Sequence, residues 1–300
     1  MILLTGSSGF IGNNLCQLFN SNYVKLSISH NLFNESKSII SDNINAVVHL
    51  AGIAHDLKNI TKPNLYYEVN TELTIKLFDA FLTSGSKVFI TLSSVKAVAD
   101  EVDGELTEDV TPNPITHYGK SKLLAEQYIL SQPIPEGKRV YILRPCMIHG
   151  PGNKGNLNLL YSLLSKGFPW PLGLFENSRS YLSIENLCFI IKELIERDDI
   201  PSGVYNVADD VPLSTNEVVN MIAESKGKKA IILKFSQTLI KLLASVGDVL
   251  KLPINSDRLQ KLTVSYIVSN AKIKEALGKQ LPVTSKEGLI QTFKSFSDDV

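Results

Sequence analysis

The sequence predicts an α/β fold built on a parallel sheet, and three observations carry that prediction. Short apolar runs alternate with longer stretches of helical apolar spacing over the first half of the chain. Parallel strands need crossovers of that kind, so helices are expected on both faces of the sheet. A glycine-rich turn, LTGSSGFIG (4–12), joins the first run to the first periodic stretch. After about residue 150 the alternation gives way to helix-rich sequence with short strands, which predicts a smaller lobe over the C-terminal edge of the sheet.

In chain order, ILLT (2–5), YVKLSI (23–28), INAVVHLAG (44–52), KVFITLSS (87–94) and RVYILRP (139–145) read as buried strands. GFIGNNLCQLF, LYYEVNTELTIKLFDAFLTSG and THYGKSKLLAEQYILS read as helices between them, with Gly85 placed to end the second as a C-cap glycine. GPGNKGN (150–156) is a loop, followed by a helical LNLLYSLLSKG and the proline-rich FPWPLG. GVYNVA (203–208) reads as one more strand, with the option of returning to the sheet. STNEVVNMIAESKG reads as a helix capped by Ser214 or Thr215. The expected division is a nucleotide-binding unit at 1–150 and a lobe at 151–300.

Composition excludes several function classes. Thirty basic and thirty acidic residues cancel, so no overall charge points to nucleic acid or anionic membrane. Cys16, Cys146 and Cys188 show no metal-ligand spacing, and no disulfide is expected; Cys16 and Cys188 fall in apolar helical patterns that predict buried thiols. No leader pattern precedes the first strand, and no apolar run reaches the roughly 18–20 residues of a membrane span. The nearest, TLIKLLASVGDVLKLP (238–253), is broken by Lys241, Asp248 and Lys251. It reads as a half-buried lobe helix, with an interfacial helix as the alternative. A cytoplasmic protein without stable membrane insertion is expected.

The turn at Gly6, Gly9 and Gly12 allows close backbone approach at a helix start, where a pyrophosphate is favoured. Its spacing is G-x-x-G-x-x-G, not G-x-G-x-x-G, so alone it supports either a nucleotide phosphate or a plain strand-to-helix turn. A second constellation lies in HYGKSK (117–122). Tyr118 and Lys122 are four apart and share a helix face. A cation beside a phenol stabilises phenolate, and a tyrosine so tuned exchanges a proton with a sugar hydroxyl as a hydride moves. The alternative is an exposed Tyr–Lys pair on an amphipathic helix. Ser93 and Ser94 end the preceding strand, where the sheet edge brings a hydroxyl toward the same pocket.

T-G-x-x-G-F-I-G, the strand-end L-S-S, Y-G-K-S-K and L-R-P-x-x-I-x-G-P-G occur in this order, joined by HLAG (49–52), the asparagine of EVNTELT and SYIVSNAKIKEALG. Together they resemble the extended short-chain dehydrogenase/reductases, in particular the nucleotide-sugar epimerase, dehydratase and 4-ketoreductase group. The resemblance runs nearly end to end and implies a Rossmann-type doubly wound parallel sheet with a smaller, mostly helical C-terminal substrate lobe. It implies that Gly6, Gly9 and Gly12, with Ser8, Phe10 and Ile11, hold the cofactor pyrophosphate. The strand end Leu50, Ala51 and Gly52 lies on the cofactor side, and the backbone after Pro145 lies by the nicotinamide. Ser94 (or Ser93, one residue away) orients the sugar oxygen and Tyr118 is the acid/base. Lys122 holds the ribose hydroxyls and lowers the Tyr118 pKa, and Asn70 is a structural support. Asn156, Arg179 and Arg258 are the implied substrate contacts, each Arg reading equally as a surface side chain. His117 and His149 sit inside motifs in packing or turn roles. A homodimer through the helices near 65–84 and 117–131 is also implied.

The implied substrate is a UDP-sugar, and the cofactor NAD or NADP. Ser29, His30 and Asn31 stand where an acid often grips the adenosine ribose, which leaves NADP(H) open. Val95 and Lys96 follow Ser94, so no carboxylate is placed for elimination and dehydration is not expected. Between the two remaining activities, reduction of a UDP-4-keto-6-deoxy-N-acetylhexosamine, with NADPH, is preferred over a UDP-hexose 4-epimerase with bound NAD. A catalytically dead nucleotide-binding regulator is the third reading, opposed by the intact Ser94, Tyr118 and Lys122.

Overall fold

The computed structural model describes residues 1–27, 39–53, 63–153, 155–250 and 255–296. Ser29, His30 and Asn31 lie outside them. Six strands form one parallel sheet: β1 (Ile2–Thr5), β2 (Tyr23–Leu26), β3 (Ala46–His49), β4 (Val88–Leu92), β5 (Arg139–Pro145) and β6 (Gly203–Val207). Their order is β2-β1-β3-β4-β5-β6. The chain winds from β1 to one edge, then returns past β1 to build the other. The reversal between β1 and β3 opens a crevice at their carboxyl ends, the place where such sheets bind ligands. Each predicted strand is present, and the one at 203–208 pairs with β5 as the sixth.

Side chains alternate between the two faces, as the pleat requires. Val47, Phe89 and Ile142 point to one face, where they meet Phe78 and Phe81 of the helix Leu73–Thr83. Val48, Ile90 and Leu143 point to the other, against Leu187, Ile191 and Leu194 of the helix Ile184–Glu196. That helix, β6 and the helix Ala271–Leu277 all come from beyond residue 150 yet complete the sheet layers. A separate core around Trp170, Leu213, Val218 and Phe293 holds the lobe, with helices Asn156–Ser165, Thr215–Ser225, Gln237–Leu250, Ser256–Thr263 and Ser285–Ser295. Among the described residues no helix is long and apolar enough to cross a membrane.

Two local expectations change. The helix Leu73–Thr83 does not end on Gly85, which has no positive φ. Ser84 caps it in an extended conformation, and its hydroxyl donates to the Phe81 carbonyl at 2.9 Å and accepts from Ser86 N, so no left-handed residue is needed. Cys188 is buried as expected, whereas Cys16 is only partly so, packed at the margin of the core. Ser214, not Thr215, caps the helix Thr215–Ser225, through a capping box with Glu217.

Candidate active site

The glycine turn follows β1 directly. Gly6 has φ +66°, and a Cβ there would lie 2.7 Å from Ala51 N, so only glycine lets the β1 and β3 ends approach. A Cβ on Gly12 would meet the Gly6 carbonyl oxygen at 2.3 Å and Ser7 Cα at 2.6 Å. Gly9 starts the helix Phe10–Phe19 without a side-chain cap, so the first-turn N–H groups at Phe10, Ile11 and Gly12 stay available to an anion. Ser8 and Gly9 are exposed and Phe10 and Ile11 half-buried. The loop is more than a turn: its backbone is pressed together on the inside and open at the helix start.

Under this crevice runs a buried polar line that sequence reading left unassigned. The Thr5 hydroxyl accepts from the N–H groups of Leu50 and Ala51, both at 3.2 Å, and so gives its own proton to His49 Nδ1 at 2.8 Å. The Thr74 hydroxyl donates to the Asn70 carbonyl and therefore accepts from His49 Nε2 at 2.9 Å. His49 is thus neutral with its proton on Nε2. Burial, with the Lys122 charge nearby, lowers its pKa to about 3. The motif HLAG contained the signal: a histidine with no room for charge at the end of a buried strand.

Asn70 is fully buried and ties the loop after β3 to the helix His117–Ser131. Its Oδ1 accepts from Ile53 N at 2.8 Å, and its Nδ2 donates to Ile53 O and to Ser121 Oγ. It lies in a π-helical stretch, Tyr67–Glu72, between the single helical turn Asn64–Tyr66 and the helix Leu73–Thr83. Such wide turns favour functional sites because they re-aim side chains; no residue pattern marked this one.

Tyr118, Ser94 and Lys122 converge above β4. Ser94 lies close enough to the Tyr118 phenol to favour its phenolate, whereas Ser93 Oγ is buried without a hydrogen-bond partner. Burial pushes the Tyr118 phenol above its ordinary value, Ser94 pulls it back in part, and neighbouring Tyr66 adds to the rise. Lys122 Nζ is turned toward the sheet, donating to the Leu92 carbonyl at 2.8 Å. A Cβ on Gly52 would lie 3.1 Å from it, so the ammonium faces the loop that follows β3. The expected lowering of the Tyr118 pKa by Lys122 is not what holds the free chain: burial dominates both groups. It brings Lys122 down to about 8, against the opposing pull of Glu126. Glu126 in turn is clamped by Arg144, with three contacts of 2.5 to 3.1 Å between two buried side chains.

The start of the Tyr118 helix is fixed by residues not singled out from sequence. Thr116 caps it through Gly119 N, and Asp100 accepts from the N–H groups of Ile115 and Thr116. A Cβ on Gly119 would lie 2.2 Å from the Lys96 carbonyl, so this glycine lets the helix touch the turn Val95–Ala97 right after Ser94. Lys96 Nζ donates to Asp100 O and lies 4.3 Å from the Tyr266 ring centroid. The two residues after Ser94 are therefore the buried Val95 and the cation Lys96, neither of them a carboxylate.

The remaining candidates divide. Pro145 ends β5 beside Val207, at the same sheet edge. Arg179 is half-buried between Leu213 and Tyr266, and its guanidinium donates to the Lys261 carbonyl. Its charge reaches Cys146, Tyr181 and Lys96, which places it beside the β5 end. Arg258 is exposed on the helix Ser256–Thr263, and Asn156 begins the helix Asn156–Ser165. The exposed His117 bonds Tyr67, and the buried His149 bonds Thr292 through Nδ1, with Asp209 3.5 Å from its Nε2.

The model of the NAD dependent epimerase/dehydratase family matches residues 2–208. The chain is 34% identical over 323 aligned residues to the UDP-glucose 4-epimerase of Vibrio cholerae, covering 98% of this chain and 95% of that one. It is 27% identical to the N-acetyl-alpha-D-glucosaminyl-diphospho-ditrans,octacis-undecaprenol 4-epimerase of Escherichia coli O157:H7, over 98% and 94% of the two chains. In fold it is similar to MoeE5 in complex with UDP-glucose and NAD, with a TM-score of 0.74, 23% identity and 99% of each chain covered.

Proposed function

The chain belongs to the NAD-dependent epimerase/dehydratase family, and from that premise we propose that it is a nucleotide-sugar 4-epimerase working on a UDP-hexose with bound NAD. The observation that carries the reading is the meeting of Ser94 and Tyr118 one helical turn from Lys122, whose ammonium faces Gly52 and the glycine loop. The residues fit a dinucleotide. Gly12 leaves no room for a side chain against Gly6 and Ser7, the helix at Phe10 starts uncapped, and Lys122 lies by the strand end next to that loop. When bound, the nicotinamide supplies hydride acceptance and return at the sugar C4.

Tyr118 Oη takes the C4 hydroxyl proton and later gives it back, within reach of the Ser94 hydroxyl that orients the sugar oxygen. Burial holds the phenol protonated in the free chain, and Ser94, which favours the phenolate, acts against that burial when Tyr118 serves as a base. Lys122 holds ribose hydroxyls through the N–H groups not given to Leu92. Arg179, beside the β5 end, meets the sugar's diphosphate from the lobe. With Lys96 following Ser94, no carboxylate is placed for eliminating water.

The relative that is 34% identical over nearly both full lengths puts epimerisation ahead of the reduction that the sequence favoured, since both chemistries use the same three side chains. A second substrate reading, the same C4 inversion on an N-acetylglucosamine carried by undecaprenyl diphosphate, is favoured by the 27% identical relative. The test is incubation with UDP-glucose, with UDP-N-acetylglucosamine, and with a UDP-4-keto-6-deoxysugar plus NADPH. C4 epimers formed without net cofactor use support the proposal. NADPH consumption by the ketosugar alone overturns it in favour of the reductase.

A further inference from the structure

The helix Gln237–Leu250 is buried along one narrow face only, through Ile240, Ala244 and Gly247. Leu239, Leu242, Leu243, Val246, Val249 and Leu250 are exposed. At 3.6 residues per turn these six fall in a single arc of about 120°, beside the buried face. Lys241, Ser245 and Asp248 occupy the third face. A lobe helix of this kind ordinarily turns its apolar side inward; here most of that side faces outward. The surface continues past the helix start. Ile231 and Phe235 are exposed on the preceding segment, which pairs with Trp170 and Leu172, and exposed Leu174 accepts from Gln237 Nε2. Single exposed leucines are common, whereas a contiguous stripe marks a surface that something covers.

Charge identifies what covers it. The chain as a whole is neutral, yet residues 226–250 carry five lysines against one aspartate. Lys228, Lys229, Lys234 and Lys241 are exposed, before and along the apolar stripe. Asp248 is turned to its neighbour, accepting from Ser256 N and Oγ. An apolar arc edged by lysines suits the boundary between anionic headgroups and acyl chains, where such a helix lies in the plane and sinks by about 5–10 Å. A second copy of this helix would set lysines against lysines.

We propose that the helix Gln237–Leu250 and the lysine-bearing segment before it form a docking face for an anionic lipid bilayer, holding the protein peripherally at a membrane surface. This face is separate from the Ser94–Tyr118–Lys122 site and does not depend on which sugar is turned over.

Flotation of the full chain with phosphatidylglycerol vesicles and with phosphatidylcholine vesicles tests it. The chain is expected to float with the anionic vesicles preferentially. Leu242→Asp with Val246→Asp, both at exposed positions, is expected to lower the bound fraction by about tenfold or more. Lys228→Glu with Lys229→Glu is expected to remove the preference for anionic lipid. Unchanged thermal melting and unchanged turnover of a water-soluble UDP-sugar show that the variants are folded. Absence of binding to either vesicle overturns the proposal, as does undiminished binding of the Leu242/Val246 variant. A dimer in solution that the Leu242/Val246 variant splits into monomers assigns the face to a second copy and overturns it too.

Discussion

Gly12→Ala adds one methyl group to the inside of the glycine loop. Its Cβ would stand 2.3 Å from the Gly6 carbonyl oxygen, 2.6 Å from Ser7 Cα and 2.8 Å from Ser7 C. Ordinary contact begins near 3.4 Å, so the loop must retreat by roughly 1 Å. All three neighbours are backbone, and no side chain can rotate away. Overpacking of this sort costs about 1–3 kcal/mol. Displacing a binding loop by about 1 Å costs on the order of a hundredfold in activity. Gly85→Ala is the matched control: nothing lies within 4 Å of its Cβ and its φ is ordinary, so it is expected to be neutral or stabilising by up to about 1 kcal/mol. Urea unfolding gives the stability arm, and calorimetric titration with NAD gives the binding arm. Gly12→Ala binding NAD as tightly as the parent chain, at unchanged stability, would refute the placement of the dinucleotide on this loop.

Glu126→Gln leaves the buried Arg144 guanidinium without its counter-charge, and a loss of about 3–5 kcal/mol is expected in urea unfolding. Because the Glu126 charge raises the Lys122 pKa, the same variant moves the alkaline fall of turnover, set by Lys122 near 8, to lower pH; an upward shift would contradict the assignment. His49 binds its proton at about 3 in the folded chain and at 6.5 when unfolded, so as pH falls below 6.5 the unfolded chain takes up the proton first. That group alone removes up to roughly 4–5 kcal/mol of stability by pH 3. His49→Gln is expected to flatten the acid side of the stability curve, and an equally steep loss would exclude this role. Asn70→Ala leaves Ile53 N and Ser121 Oγ without their partner and is expected to weaken NAD binding more than it weakens the fold, by comparison of titration with unfolding.

The sheet was legible because its signals are local. ILLT and RVYILRP coincide with β1 and β5 to the residue, since a buried parallel strand is written as an unbroken apolar run. The site was legible in part for the same reason. Tyr118 and Lys122 are one turn apart on a helix whatever the rest of the chain does. What was hidden depends on contacts between distant segments. Gly119 is required by the Lys96 carbonyl and Gly6 by Ala51, and neither contact has a sequence signature. The direction of Lys122, toward Leu92 and Gly52 and not simply toward Tyr118, follows from its burial against the carboxyl end of β4. Asn70 was placed near the cofactor by likeness, but its three hydrogen bonds follow from a π-helical stretch that propensity does not reveal. The long lobe helix was expected to be half buried. It buries only Ile240, Ala244 and Gly247, because a periodic apolar pattern does not say which side has a partner.

The central claim is that Tyr118 moves the proton at the sugar C4. Tyr118→Phe removes one oxygen from a site whose ring packing against Tyr66 is otherwise kept. Measured as C4 epimer formed from UDP-glucose per active site, turnover is expected to fall by about a hundredfold to ten-thousandfold, with NAD binding unchanged. Turnover within a few fold of the parent chain would remove Tyr118 from the chemistry and contradict the account.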